Sequence, residues 1–200
     1  MVLLFDVYGV IIVESKGNFT PYVYSRFPET DRKFFRELYL KASTGIIDGR
    51  EFFNTLGFDD PESATRDYVE NHLTPDGGFL DFAKRFIKTH EFALLSNDVA
   101  EWSERVRSYH KFGDYFKHAI ISADAGCRKP ERRIFEIALE RLGVPARECV
   151  FIDDSVQNLD AASGAGMNTI LFNRDGEEYS GDIANDFIGL AEIVSKKYGD

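Results

Sequence analysis

Four polar stations interrupt the apolar pattern of this chain, and each carries a side chain able to do chemistry. Asp6 ends the apolar run 2–5, Ser96-Asn97 follows 92–95, Lys129-Pro130 lies downstream of 119–121, and the doubled acid Asp153-Asp154 follows 150–152. Each has a plainer reading when taken alone. Asp6 could cap a turn, and Ser96 and Asn97 are residue types that favour turns. A lysine such as Lys129 is usually solvated, and acids at a helix start complement the macrodipole. A doubled acid directly after a buried apolar strand points instead to a metal site. Whether these groups act together depends on the elements that position them.

Short continuous apolar runs suit strands buried on both faces of a parallel sheet, and they occur at 2–5, 92–95, 119–121, 150–152 and 169–172. Helical patterns at 79–87, 99–109, 132–142 and 156–165 fall between them. This alternation predicts an α/β fold with a Rossmann-like parallel sheet sandwiched by helices. Punctuation supports it. Thr74-Pro75 reads as an N-cap with proline at the first helical position, Pro130 suits the same position, and Asp98 with Glu101 resembles a capping box. Gly143 before Pro145 stops one helix, and Gly164 with Gly166 closes the next. Near the end, 183–188 reads as an edge strand, 190–194 as a short helix, and Glu177-Glu178 as a solvated loop. In such a sheet ligands bind outside the carboxyl ends of the strands. Three carboxylates, one hydroxyl and one ammonium therefore converge on one edge.

One segment breaks the alternation. Residues 15–73 show helical apolar spacing without strands, in Phe34-Phe35-Leu38, Phe52-Phe53-Leu56 and Tyr68-Val69-His72. They read as a helical cap inserted into a core made of 1–14 and 74–200. Phe19, Tyr22, Tyr24 and Phe27 read as packing residues of that cap, whereas Arg26 is placed to reach an anionic substrate. The four histidines share no spacing or motif, and none is assigned to catalysis.

The composition narrows the range of partners. The 200 residues carry 24 Lys+Arg against 34 Asp+Glu, a net charge of −10, with 44% hydrophobic residues. The chain is too apolar for disorder, and no basic run offsets the charge, which argues against nucleic acid and anionic membranes as partners. Cys127 and Cys149 are too few for a disulfide framework and lack zinc-site neighbours, so they read as buried thiols in a reducing compartment. Without a basic leader, cleavage site or membrane span, a soluble cytoplasmic protein is expected.

Four segments together resemble the haloacid dehalogenase (HAD) superfamily: Phe5-Asp6-Val7-Tyr8-Gly9-Val10-Ile11, Leu94-Leu95-Ser96-Asn97, Gly126-Cys127-Arg128-Lys129-Pro130, and Phe151-Ile152-Asp153-Asp154-Ser155-Val156-Gln157-Asn158. Their order and their positions at strand ends carry the resemblance over the whole chain. It implies a Rossmann-like core with a helical cap, and phosphoryl transfer through an aspartyl intermediate. Asp6 would be the nucleophile. Mg²⁺ would be held by Asp6, the Tyr8 backbone carbonyl and Asp154, with Asp153 nearby or through water. Lys129 would supply fixed positive charge and Ser96 a hydrogen bond to a phosphoryl oxygen. Tyr8, Ser96, Asn97 and Lys129 would face the substrate, a small phosphorylated molecule, and Asn158 would brace the loop.

Tyr8 departs from the phosphatase pattern, which usually has a second aspartate there as general acid and base. A phenol with an unperturbed pKa of about 10 accepts a proton poorly near neutrality, so hydrolysis is expected to be slow or to favour good leaving groups. The Asp-x-Tyr-Gly pattern also resembles 2-haloacid dehalogenases, in which Asp attacks carbon without a metal. Those enzymes usually lack the paired acids seen here at Asp153-Asp154, which would repel a haloacid carboxylate unless a cation intervened. The fourth segment therefore outweighs Tyr8 and favours phosphate. A catalytically weak ligand-binding or regulatory homologue is the remaining alternative.

Overall fold

The computed structural model describes residues 1–14 and 19–199. Six strands, β1 (Val2–Phe5), β2 (Glu91–Ser96), β3 (His118–Ile121), β4 (Cys149–Asp153), β5 (Asn168–Phe172) and β6 (Asp182–Ala184), form one sheet in the order β3-β2-β1-β4-β5-β6, every pair parallel. The expected α/β architecture is present. Successive side chains of a strand point to opposite faces, and alternate residues accordingly enter two separate cores. Leu3, Phe5, Val150 and Ile152 face one of them. Val2, Leu4, Cys149 and Phe151 face the other.

Each face is covered by helices whose apolar stripe matches it. On the first, Phe79, Phe82 and Phe86 of α5 (Phe79–Phe86) and Phe187, Leu190 and Val194 of α10 (Phe187–Tyr198) join the core of Phe5, whose ring meets those of Phe79 and Phe82 edge-on. On the second, Ile134, Phe135 and Ala138 of α8 (Arg132–Leu142) and Leu159 and Ala162 of α9 (Val156–Gly164) fill the space. Two helices, α6 (Ala100–Tyr109) and α7 (Ser122–Ala125), follow β2 and β3.

Between β1 and α5 the described chain is helical: α1 (Phe19–Tyr24), α2 (Arg32–Ser43), α3 (Gly49–Leu56) and α4 (Pro61–Asn71). The expected start of this insert, Ser15, lies outside the described residues. Asp31, Asp48 and Asp60 each accept a backbone N–H three residues on, capping α2, α3 and α4. The insert leaves and rejoins the core at neighbouring points, where Ile12 bridges Pro75 and Val13 N donates to Thr74 O over 2.8 Å. Its aromatic interior is built on Phe19, Phe52, Phe53 and Tyr68, and Trp102 of α6 inserts into it, with its ring 4.9 Å from that of Phe19.

Several local expectations need correction. Pro75 is engaged in the bridge to Ile12, and α5 begins only at Phe79, after Gly78, whose N–H is taken by Asp76. Asp98 is not an N-cap. Val99 holds that position, and the Asp98 carboxylate turns inward to accept from Tyr8. Pro130 follows a cis peptide, and α8 starts at Arg132. The edge strand is limited to Asp182–Ala184, while α10 runs much longer than 190–194 because Asp186 caps it from the Gly189 N–H. Gly164 is still helical, and Gly166, at φ 88°, makes the left-handed turn. Gly143 does end α8 in the left-handed region, the Glu177-Glu178 turn is exposed, and both cysteines are buried and unpaired. No helix of the described residues is long and apolar enough to cross a membrane.

Candidate active site

The chain order reverses at β1 and β4: β2 and β3 extend the sheet on one side, β5 and β6 on the other. A crevice opens outside the carboxyl ends at such a switch point. Phe5 is in register with Ile152, and Asp6 N donates to Ile152 O over 2.9 Å, so Asp6 emerges beside Asp153. Asp6, Asp153 and Asp154 bring carboxylate oxygens within 4.8 Å of one another.

Lys129 enters this cluster from the loop before α8. Its Nζ lies 2.8 Å from Asp6 Oδ2 and 2.7 Å from Asp153 Oδ2, and the residue is only 2% exposed. Burial alone would lower the ammonium pKa, but Asp153 and Asp6 outweigh it and hold it above its ordinary value. Asn97 fixes the loop that delivers it: the Asn97 carboxamide accepts from Lys129 N over 2.8 Å and donates to Lys129 O over 2.9 Å. Asp153 is the fully buried anchor. Its oxygens also receive the Ser155 N–H at 2.8 Å and the Asn158 amide at 3.0 and 3.1 Å, so Asn158 does brace the loop.

Burial pushes the Asp6 carboxyl well above its usual range, against the pull of Lys129, with Asp153 and Asp154 adding to the rise. Three carboxylates and one ammonium meet in a largely buried site. An all-oxygen donor set of this kind suits a hard divalent cation. The loop after β1 is shaped to admit Asp154, because Gly9 sits at φ 78° and a Cβ there would collide with the Asp154 carboxylate. Ser96 Oγ, at the carboxyl end of β2, is buried and has no hydrogen-bond partner among the described residues. A buried hydroxyl in that condition costs free energy until a ligand satisfies it.

Tyr8 does not point a free phenol at the cluster. Its hydroxyl donates to Asp98 Oδ2 over 2.9 Å, and burial followed by the Asp98 charge raises its pKa well above the ordinary tyrosine value. Burial pushes the Asp98 carboxyl up to about 7, opposed by its hydrogen bonds from Tyr8 and Val99 N.

These groups open into a cavity of about 440 Å³ lined by Asp6, Tyr8, Asn97, Lys129 and Asp154, among others. Asp98, Arg128, Tyr39, Tyr68 and Trp102 also line it and were not singled out from sequence. Asp98 had a signal, since it directly follows Ser96-Asn97. The aromatic residues had none, because apolar helical spacing looks the same for packing and lining. Phe19, expected only to pack, also lines the cavity, whereas Arg26 is not among its lining residues and is paired with Asp67 at 2.6 Å. Arg174 was missed as well. It donates to Gly9 O over 3.0 Å, to Val10 O over 2.9 Å and to Asp76 over 2.6 Å, clamping the loop that follows Asp6.

Comparison with known proteins agrees with this geometry. A glyceraldehyde 3-phosphate phosphatase of Pyrococcus abyssi is 34% identical over 77 residues, covering 38% of this chain and 32% of the relative. An (S)-2-haloacid dehalogenase 4A of Burkholderia cepacia is 31% identical over 84 residues, 42% of this chain and 36% of the relative. The matched stretches thus span about a third of these curated relatives. A HAD family enzyme of Bacteroides thetaiotaomicron, solved in complex with magnesium and inorganic phosphate, superposes with a TM-score of 0.73 at 25% identity, covering 90% of this chain and 96% of that one. The profile of the haloacid dehalogenase-like hydrolases matches residues 1–166, a span that includes all four polar stations. The chain therefore belongs to the haloacid dehalogenase-like hydrolase family.

Proposed function

We propose that this hydrolase is a Mg²⁺-dependent phosphatase of small phosphorylated molecules, with Asp6 as the nucleophile and the helical segment 15–73 as its cap. The observation that carries this reading is the carboxylate cluster Asp6, Asp153, Asp154 with Lys129 buried inside it. Clustered carboxylates would repel a haloacid's own carboxylate unless a cation intervened, whereas metal-assisted phosphoryl transfer uses them.

A carboxylate oxygen of Asp6 attacks phosphorus, the bond from phosphorus to the alcohol oxygen breaks, and the leaving oxygen takes up a proton. Water then attacks phosphorus of the acyl phosphate, releasing inorganic phosphate and restoring Asp6. Asp6, Asp154 and the Tyr8 backbone carbonyl would hold Mg²⁺. Asp153, with both oxygens engaged, stands behind them as the anchor of Lys129. When bound, the cation cancels repulsion between the attacking carboxylate and the phosphoryl oxygens. Lys129 adds a fixed positive charge, and Ser96 Oγ, unpartnered as it stands, donates to a phosphoryl oxygen. Asn97 acts by positioning Lys129. Tyr8 keeps its proton near neutrality, so turnover favours alcohols that leave without strong acid assistance.

Phosphate release from a panel of phosphomonoesters, with Mg²⁺ or with chelator, tests the reading. Activity is expected to need the cation and to be lost in Asp6→Asn; activity that survives both changes rejects it. Tyr8 and the Burkholderia relative keep a dehalogenase reading in view. Halide release from 2-chloropropionate in the presence of chelator would establish that alternative.

A further inference from the structure

One part of the cavity wall is built from rings. Phe19 of α1, Tyr39 of α2, Tyr68 of α4 and Trp102 of α6 all line it. The rings brace one another: Phe19 meets Tyr68 edge-on at 4.7 Å, Trp102 at 4.9 Å and Tyr39 at 6.1 Å. The described helices between β1 and α5 contribute only Phe19, Tyr39 and Tyr68 to the lining. Both lining cations, Lys129 and Arg128, come from the loop before α8. Lys129 is committed to Asp6 and Asp153, while Arg128 donates to Ser43 Oγ over 3.1 Å and lies 5.9 Å from the centre of the Tyr39 ring.

The hydroxyls of Tyr39 and Tyr68, both lining residues, make no hydrogen bond among the described residues. A hydroxyl on a cavity lining without a protein partner is available to bond a ligand group. Ring faces with hydroxyls at their edges suit a molecule that has an apolar face and hydroxyl groups at its rim. The cavity, about 440 Å³, accommodates one such ring together with a phosphoryl group.

We propose that this wall selects the phosphomonoester of an uncharged, hydroxylated cyclic alcohol, whose ring packs against Phe19, Tyr39 and Trp102 and whose hydroxyls bond to Tyr39 and Tyr68. The proposal rests on the phosphate reading above and names its substrate class. Two sources share the chemistry, a carbohydrate ring and a hydroxylated aromatic ring.

Trp102 is the only tryptophan of the chain, so its fluorescence reports directly on this wall. Asp6→Asn protein, which holds ligand without turnover, is titrated in Mg²⁺ with inorganic phosphate, a hexose phosphate, 4-hydroxyphenyl phosphate and 3-phosphoglycerate. Calorimetry supplies Kd for any ligand that leaves the fluorescence unchanged. One of the two ring esters is expected to bind about tenfold tighter than 3-phosphoglycerate, and which of them does so identifies the source. Adding Tyr39→Ala removes that advantage and leaves the Kd of inorganic phosphate within about twofold. Adding Tyr68→Phe, which keeps the ring and deletes only the hydroxyl, weakens the preferred ester about fivefold. The proposal is overturned if 3-phosphoglycerate binds as tightly as both ring esters, or if these changes weaken inorganic phosphate and ring esters alike. Failure of inorganic phosphate itself to bind overturns the underlying phosphate reading, a result distinct from loss of ring selectivity.

Discussion

Asp98 shows how much a single residue's role depends on its surroundings. In sequence it reads as a helix cap; in the fold it is a buried carboxyl, held at about 7 and bonded by Tyr8. Between about pH 4 and pH 7 the folded state keeps a proton on Asp98 that the unfolded chain has released, so stability falls as pH rises through that window. Each pH unit in it is worth about 1.4 kcal/mol. Asp98→Asn cannot titrate. Urea unfolding at pH 4.5 and pH 8 is therefore expected to show the variant gaining about 2–4 kcal/mol relative to the parent at the higher pH; parallel pH profiles would count against the assignment. Other site residues were legible from type alone. Asp6, Ser96 and the Asp153-Asp154 pair stand at strand ends, where burial of the preceding apolar run fixes the position of the next polar side chain, whereas Lys129 arrives from the loop before α8. Asp98 and Tyr8 were not legible as a pair, because they are 90 residues apart and meet only through the sheet.

At the scale of elements, the loop after β1 has the narrowest tolerance. It must turn beside Asp154 at Gly9 and is held from outside by Arg174, which follows β5 and is remote in sequence. Arg174→Ala removes two bonds to that loop and leaves Asp76 without its cation. The variant is expected to lose about 2 kcal/mol of stability in urea unfolding. Phosphate release should fall roughly a hundredfold if Asp6 moves by about an ångström. Full activity in a destabilised variant would show that Arg174 serves the fold without positioning Asp6. Five of the six strands were read to within a residue at each end, since three or four apolar residues in a row bounded by polar turns admit few alternatives, whereas the edge strand was read too long. Helix starts were read less well. Thr74-Pro75 and Pro130 carry the local chemistry of an N-terminus, but tertiary contacts take them into a bridge and into the Lys129 loop.

For the molecule as a whole, cation binding and folding are linked. The folded site gathers carboxylates that the unfolded chain spreads apart, so a divalent cation binds the native state preferentially and stabilises it. At free Mg²⁺ a hundredfold above Kd the gain is about 2.7 kcal/mol. For a chain of this size that raises Tm by roughly 5–10 °C. Thermal unfolding with Mg²⁺ against chelator checks this, and Asp154→Asn is expected to lose most of the shift; identical melting curves in both conditions would remove the proposed cation site. The parallel sheet, its flanking helices and the polar side chains at the strand ends are legible in consecutive residues, because burial periodicity and strand-end chemistry are local properties. Which of those side chains pair, the clamping roles of Asn97 and Arg174, and the meeting of Phe19, Tyr39, Tyr68 and Trp102 at one cavity belong to the tertiary structure, because each depends on residues brought together from distant parts of the chain.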